Sequence, residues 1–300
     1  MKAFALTVAD QPAALTDLPD PQLAADGALI QVRAASVNGF DVYQASGGLA
    51  AMIPHDLPTV IGRDFSGTVV AVGPDRHDVT VGDEVLGFVT SAPPLHSGTW
   101  AELVSGAAGL VLARKPAALD AVDAVDPGPG DTVLVMGSTG GVGVFAVQLA
   151  AQRGARVIAS ARPGADDAFV RSLGAAETID HTQPGLGDTV RSLAPDGLTG
   201  LIDAVSRGEA FMALAALVRD GGRASTTLGA ADVAALAGRG VRATNVMGDP
   251  TPDKLAALAG QAAAGTLRVP VQQTFALGEA QAAIAAFGAG TRGKLVLTIG

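Results

Sequence analysis

Asp131-Thr132-Val133-Leu134-Val135-Met136-Gly137-Ser138-Thr139-Gly140-Gly141-Val142-Gly143 is the stretch whose residue types and spacing point most directly to chemistry. An apolar run leads into glycines, and the glycines lead straight into an apolar helical stretch from Val142 to Arg153. Glycines at such a turn let backbone N–H groups approach a pyrophosphate at the positive end of the helix. Ser138 to Gly143 fits the G-x-G-x-x-G spacing with serine in the first place. A second frame, beginning at Gly141, lies too far into the helix, so the strand end selects the first. Ser138, Thr139, Gly140, Gly141 and Val142 form the expected cofactor loop. A plain strand-to-helix turn that binds nothing is the competing reading. The ribose position follows roughly 20 residues on, at the end of the next strand. A carboxylate there would accept from the 2′-hydroxyl of NAD. The chain has Ala159-Ser160-Ala161-Arg162-Pro163 and no acid before Asp166. Ser160 and Arg162 suit a 2′-phosphate, by hydrogen bonding and charge. NADPH is therefore the expected cofactor, with a solvated loop arginine as the alternative for Arg162.

Composition narrows the rest. Lys and Arg number 20 against 29 Asp and Glu, a net charge of -9. That argues against nucleic acid, which needs a basic stripe, and against docking on anionic lipid. No apolar run reaches the length of a membrane-spanning helix, so no membrane partner is expected and the chain is expected to be cytoplasmic. The hydrophobic share is 48% and the aromatic share only 4%, so a sizeable core must be aliphatic. Cysteine is absent, which excludes disulfides, thiolate nucleophiles and cysteine-ligated metal. His55, His77, His96 and His181 are scattered without ligand spacing. No metal is expected.

The elements that must position the loop are those of a doubly wound sheet. Short apolar runs at Thr132–Met136, Arg156–Ala161, Gly200–Ala204, Arg223–Leu228 and Val241–Met247 alternate with helical patterns. The first part of the chain reads differently. Phe4, Leu6 and Val8 alternate as a strand, which fits the start better than a signal peptide does. Ala28–Ser36, Phe65–Val72, Glu84–Val89 and Thr99–Val104 are further short strands between Gly and Pro turns, the pattern of an irregular barrel. Helical patterns at Asp253–Ala264 and Leu277–Phe287 and a strand at Lys294–Ile299 close the chain.

These motifs together resemble the medium-chain dehydrogenase/reductases, and specifically their zinc-independent quinone oxidoreductase branch. The resemblance is carried by Val37-Asn38-Gly39-Phe40-Asp41, by Pro58 to Gly67 with its Gly62-Arg63-Asp64, by Val81 to Val85, and by Gly98-Thr99-Trp100-Ala101-Glu102. Leu173-Gly174-Ala175, Leu217 to Arg223 and Thr291 to Leu297 continue it in order. The zinc branch has a Cys and a Gly-His-Glu; here Arg63 and Asp64 follow Gly62 and there is no Cys. The resemblance implies hydride transfer from a reduced nicotinamide to a quinone or an α,β-unsaturated carbonyl, a small-molecule electrophile. Asn38 matches the family position near nicotinamide and acceptor, with a polarising and positioning role. Tyr43, the sole tyrosine, is a candidate donor to the acceptor or a packing residue. Asp41 reads as a turn-fixing or helix-capping residue rather than an acid. Lys294 is a candidate for a cofactor phosphate or a plain strand-edge lysine. Trp100 walls a cleft or is buried under the barrel. The family often has Arg where Ala45 stands.

Between Lys115-Pro116 and Pro129-Gly130 the family has two helical pieces. Here Leu119, Val122 and Val125 recur every three residues in one short amphipathic helix stopped by Pro127. On the order of 20 residues, or ~30 Å of helix, is missing. The gap is natural, engineered or an omission from the chain, and a real gap would weaken hydride transfer.

The expected fold class is α/β: a Rossmann doubly wound parallel sheet at 128–265, plus a GroES-like irregular β-barrel at 1–127 completed by 266–300. The active site is expected in the cleft between the two domains, outside the carboxyl ends of the strands. A homodimer through the Val241–Met247 edge strand is implied. The alternative functions are a non-catalytic NADPH-binding protein, as sensor or accessory subunit, and an enoyl-thioester reductase.

Overall fold

The computed structural model describes all residues except 10, 51, 91–92, 107–109, 113–116 and 247–251, and leaves undescribed the side chains of 110–112, 117–120, 252 and 254–255. In chain order the first elements are β1 (Lys2–Leu6), β2 (Ala14–Asp17), β3 (Ala28–Val37), α1 (Gly39–Ala45), β4 (Thr59–Val60) and β5 (Asp64–Val72). There follow β6 (Glu84–Val89), β7 (Leu103–Gly106), β8 (Leu110–Leu112), α2 (Ala117–Val125), β9 (Thr132–Met136), α3 (Gly143–Gln152) and β10 (Arg156–Ser160). Next are α4 (Ala165–Arg171), β11 (Glu177–Ile179), α5 (Leu186–Leu193), β12 (Leu198–Asp203), α6 (Gly208–Ala215), β13 (Val218–Thr226) and α7 (Val233–Ala237). The last are β14 (Arg242–Asn245), α8 (Pro252–Ala263), β15 (Val271–Ala276), α9 (Ala280–Gly288) and β16 (Lys294–Thr298).

The chain divides into two compact units. One comprises Met1–Arg114, Pro250–Ala256 and Val271–Gly300; the other comprises Lys115–Asp249 and Ala257–Pro270.

In the first unit the sheet runs β15-β16-β3-β5-β6-β8, with β7 also paired to β3, and a smaller sheet runs β2-β1-β4. All these pairs are antiparallel except β15 with β16. Alternate residues face inward, as a sheet covered on one side requires. Ile30, Val32, Phe65, Val69, Leu295 and Leu297 fill the core with Phe4, Leu6 and Trp100. Trp100 differs from the expectation of a strand over Thr99–Val104. Its N–H donates to Ile61 O and its carbonyl accepts from Phe4 N, so the segment crosses between neighbours irregularly and β7 begins only at Leu103.

The second unit is a parallel sheet of order β11-β10-β9-β12-β13-β14. Its central strands are apolar throughout because both faces are covered. Val133 and Val135 pack with α2 and α3 through Val122, Val125, Val144 and Val147. Leu134 and Met136 point to the other face, toward Val190, Phe211, Leu214 and Leu236. This is the Rossmann arrangement, and the first unit is the GroES-like one. The sequence-based boundary at 127 places α2 with the barrel; the structure places it with the parallel sheet. Ala121, Val122 and Val125 are buried there, Ser225 Oγ donates to Ala121 O at 2.9 Å, and Arg223 Nη1 donates to Val125 O at 2.7 Å. Strand β13 also begins five residues before the expected Arg223, at Val218, because Arg219–Gly222 continue the strand despite their loop-like composition. The edge strand is β14, and Met247 lies outside the described residues. Among the described residues no helix is long and apolar enough to cross a membrane.

Candidate functional site

The glycine loop stands where strand order reverses. From β9 the chain proceeds to β10 and β11 on one side, and to β12, β13 and β14 on the other. Ligands of open α/β sheets bind at the carboxyl ends of strands at this switch point. Gly137 closes β9 in a left-handed conformation, φ 74°, that favours glycine. Its N–H donates to Ser160 Oγ at 2.9 Å, and its carbonyl accepts from Gly140 N at 3.0 Å. Gly143, the first residue of α3, lies so close that a Cβ there would stand 2.0 Å from Gly137 O. Thr139, Gly140, Gly141 and Val142 form a partly exposed lip ahead of the helix. Backbone N–H groups and the positive end of a helix dipole at such a lip favour an anion.

Two of the residues expected at the cofactor have buried side chains that bond to neighbouring strand and loop backbone. Ser138 is fully buried and its hydroxyl donates to Ser160 O. Ser160 is 3% exposed, with Oγ accepting from Gly137 N. Both serine side chains stitch β9 to β10 and hold the loop; neither is presented to solvent. Arg162 stays outside, half exposed, with Nε donating to Asp166 Oδ2 at 2.7 Å. That pair anchors the guanidinium just beyond the end of β10.

Sequence reasoning also passed over Asp203, the last residue of β12. Its side chain is fully buried, and Oδ1 accepts from Val205 N and Ser206 N, both at 2.8 Å. The turn it fixes puts Val205 against Gly137. An acid ending an apolar run was the available signal.

In the first unit Asn38 caps α1. Its Nδ2 donates to Asp64 Oδ2 at 2.8 Å, Ser36 Oγ at 3.0 Å and Asp41 Oδ2 at 3.1 Å. Asp41 Oδ2 also accepts from Asn38 N at 2.9 Å, so Asp41 is the helix-capping residue expected from the sequence. Ser36 Oγ donates to Asp64 Oδ2 at 2.7 Å. Lys294 Nζ donates to Asn38 Oδ1 at 2.6 Å. Lys294 thus joins Asn38, in the unit that does not contain the glycine loop. Tyr43 is 48% exposed with its ring over Gly48, and among the described residues it takes no part in this cluster. Arg63 is buried. It donates to Gln44 Oε1 at 3.2 Å and Ser97 O at 3.1 Å, and its guanidinium lies 5.1 Å from the centre of the Phe40 ring. Among the described residues no three His, Cys, Asp or Glu side chains gather as a metal site.

Two family descriptions match the chain: Alcohol dehydrogenase GroES-like domain over residues 24–116, and Zinc-binding dehydrogenase over residues 173–297. A quinone oxidoreductase from Coxiella burnetii superposes with a TM-score of 0.85 at 27% identity, over 100% of this chain and 99% of that one. The chain belongs to the medium-chain dehydrogenase/reductases. Within this family it is similar to an NADPH-dependent alkenal/one oxidoreductase of Arabidopsis thaliana, at 31% identity over 70% of this chain and 57% of the relative. It is also similar to a trans-enoyl reductase of Trichoderma harzianum, at 29% identity over 72% of this chain and 67% of the relative. The chain spans about half to two thirds of the length of the curated relatives it matches first.

In this medium-chain dehydrogenase/reductase the buried cluster carries a pH signature. Burial, and next the charge of Asp64, push the Asp41 carboxyl up to about 7 against the pull of the Asn38 donors and of Arg63. Burial likewise pulls the Arg63 guanidinium down, while Asp41 and Asp64 hold it up. A carboxyl raised in the folded chain binds its proton more tightly there than when unfolded. Its ionisation therefore opposes folding increasingly between pH ~4 and ~7, at about 1.4 kcal/mol per pH unit, and levels off above. Urea unfolding across pH 4–8 is expected to show this loss in the wild type and a flatter profile in Asp41→Asn. Subtracting the two profiles cancels Asp78, Asp167 and Asp180, whose carboxyls hydrogen bonds hold below the usual range. Parallel profiles would mean that Asp41 does not titrate in this window.

Proposed function

We propose that the chain is an NADPH-dependent reductase that transfers hydride to quinones or α,β-unsaturated carbonyls without a metal. The observation that carries this reading is the glycine loop at the switch point, with Gly143 packed on Gly137 so that backbone rather than side chain faces a ligand. The relatives' alkenal and quinone activities support the acceptor class. Residues 139–142 would hold the pyrophosphate and Arg162 the 2′-phosphate. A reduced nicotinamide, when bound, supplies the hydride. The chain supplies binding, orientation and fixed charge. Asn38 and its partners form the polar group beside the acceptor. The buried Arg63, bonded to Gln44 and Ser97, fits a site built without a metal.

Oxidation of NADPH by a panel of quinones and enones tests the activity. Tight NADPH binding with no acceptor-dependent oxidation indicates a non-catalytic binding protein instead. A second reading, an enoyl-thioester reductase, is favoured by the trans-enoyl reductase relative, and reduction of crotonyl-CoA in preference to quinones selects it. Stoichiometric zinc in active protein overturns the metal-free mechanism.

Cofactor preference rests on Arg162. Removing a charged hydrogen-bond partner costs about 1.5–3 kcal/mol, or roughly 10- to 100-fold in affinity. Arg162→Ala is expected to weaken NADPH by that factor in a fluorescence titration and leave NADH unchanged. Equal wild-type affinities for the two cofactors would sink the assignment. The edge strand β14 is the proposed dimer contact, flanked by a shallow depression of about 320 Å³ lined by Val233, Ala237, Val241 and Arg242. A monomeric mass in solution removes that proposal.

A further inference from the structure

Asn38 is the polar residue proposed to face the acceptor, yet its amide has no donor to spare. Nδ2 carries two hydrogens, and three oxygens surround it: Asp64 Oδ2, Ser36 Oγ and Asp41 Oδ2, all within 3.1 Å. Asp64 Oδ2, which already accepts from Ser36 Oγ, also sets which end of the amide is nitrogen, because a carbonyl oxygen would not face it. The oxygen end is thereby aimed at Lys294 Nζ, 2.6 Å away. To polarise an acceptor oxygen directly, Asn38 would have to abandon a carboxylate. Its geometry is that of a bracket that holds something else, and what it holds is an ammonium.

The placement of Lys294 follows from the sheet. Leu295 of β16 pairs antiparallel with Val37, the last residue of β3, so Lys294, the first residue of β16, stands level with Asn38, the N-cap between β3 and α1. Gly293, at φ 100°, lets the chain turn into the strand just before it. Lys294 is partly buried, so its charge is less screened than that of a surface lysine.

We infer that Lys294, held by Asn38, is the catalytic residue that stabilises and protonates the acceptor oxygen, and that Asn38 is its positioning residue. This rests on the proposed function, which places Asn38 beside the acceptor. For an enone the balance is complete. Hydride from the reduced nicotinamide forms a C–H bond at the β-carbon, and the alkene electron pair moves through the carbonyl to its oxygen. One Nζ–H bond breaks as the proton passes to that oxygen, giving the enol, which tautomerises to the saturated carbonyl. The neutral amine regains a proton from water. The nicotinamide is oxidised by two electrons and the enone is reduced by two.

Lys294→Gln keeps a donor for Asn38 Oδ1 and removes the charge, so it separates chemistry from packing; Lys294→Met removes both. General acid catalysis is worth typically 10²–10⁴-fold. Both variants are expected to lose about 100-fold or more in kcat for enones, with NADPH affinity by fluorescence titration within about twofold of wild type. A cofactor-free readout uses 4-nitrophenol as an oxyanion probe. The wild type is expected to bind it as the yellow phenolate at a pH where free probe is mainly neutral, and Lys294→Gln is not. Unchanged kcat in Lys294→Gln overturns the inference. So does a loss confined to NADPH affinity, which returns Lys294 to a cofactor phosphate. Absence of any acceptor-dependent oxidation in the wild type is a different result: it removes the proposed function, and the inference with it.

Discussion

Gly143→Ala is expected to weaken NADPH binding by at least about 100-fold and to lower thermal stability. The reason is local and steric. The added Cβ would stand 2.0 Å from Gly137 O and 2.5 Å from Ser138 Cα. Both are backbone atoms, so no side chain can swing aside. The Gly137 peptide would have to move, and it is tied on both sides, by its N–H to Ser160 Oγ and by its carbonyl to Gly140 N. Moving it unstitches β9 from β10 where the loop begins. Overpacking of this kind typically costs about 1–3 kcal/mol in stability. Loss of preorganisation at the pyrophosphate costs further affinity. Gly140→Ala is the contrast. Its Cβ would meet Gly137 O at 3.4 Å, an ordinary contact, so the fold should hold and only the approach of the cofactor should suffer. Fluorescence titration and a thermal melt of both variants check the pair. Wild-type affinity in Gly143→Ala would falsify the loop as the cofactor cradle.

The glycine loop was legible because its chemistry is contiguous. Strand, turn and helix N-terminus follow one another along the chain, and the spacing alone specifies the geometry. The side-chain partners of the serines were not legible for the opposite reason. Ser138 and Ser160 are 22 residues apart and bond across two neighbouring strands, so composition showed two hydroxyls near the glycine loop but not that each serves the other's strand. The Asn38–Lys294 contact spans 256 residues and depends on β16 returning beside β3. Each residue could be singled out by resemblance, but nothing local says that they meet. Arg63 and Gln44 illustrate the same limit. Both are strongly polar and both are buried, which the sequence pattern reads as surface. Their burial follows from Phe40 and the Ser97 carbonyl, supplied from elsewhere in the unit. Helix α2 went to the wrong unit because its partners, Ser225 and Arg223, lie about a hundred residues downstream.

Trp100 carries the other large effect. It is fully buried, its ring lies 5.8 Å from that of Phe4, and its Nε1 donates to Ser36 O at 3.2 Å. Ser36 is also a hydrogen-bond partner of Asn38, so the indole supports the strand end on which the polar cluster is built. Truncating a core tryptophan to alanine costs about 3–5 kcal/mol, and that is the expected loss for Trp100→Ala. Because Trp100 is the sole tryptophan, calorimetry or circular dichroism must follow the transition. Gly62 gives a way to separate packing from backbone strain. It sits at φ 95°, and a Cβ there would stand 2.2 Å from Trp100 Cδ1 and 2.6 Å from Thr99 Oγ1. Gly62→Ala should therefore destabilise twice over, through the left-handed backbone and through the clash. In the Trp100→Ala background the indole clash is gone while the backbone cost and the Thr99 contact remain. The two substitutions should be less than additive, with a coupling of about 1 kcal/mol or more. Strict additivity would mean that the indole and Gly62 are not in contact. Sub-additivity would establish that the indole is one of the reasons the residue before Arg63 and Asp64 is a glycine.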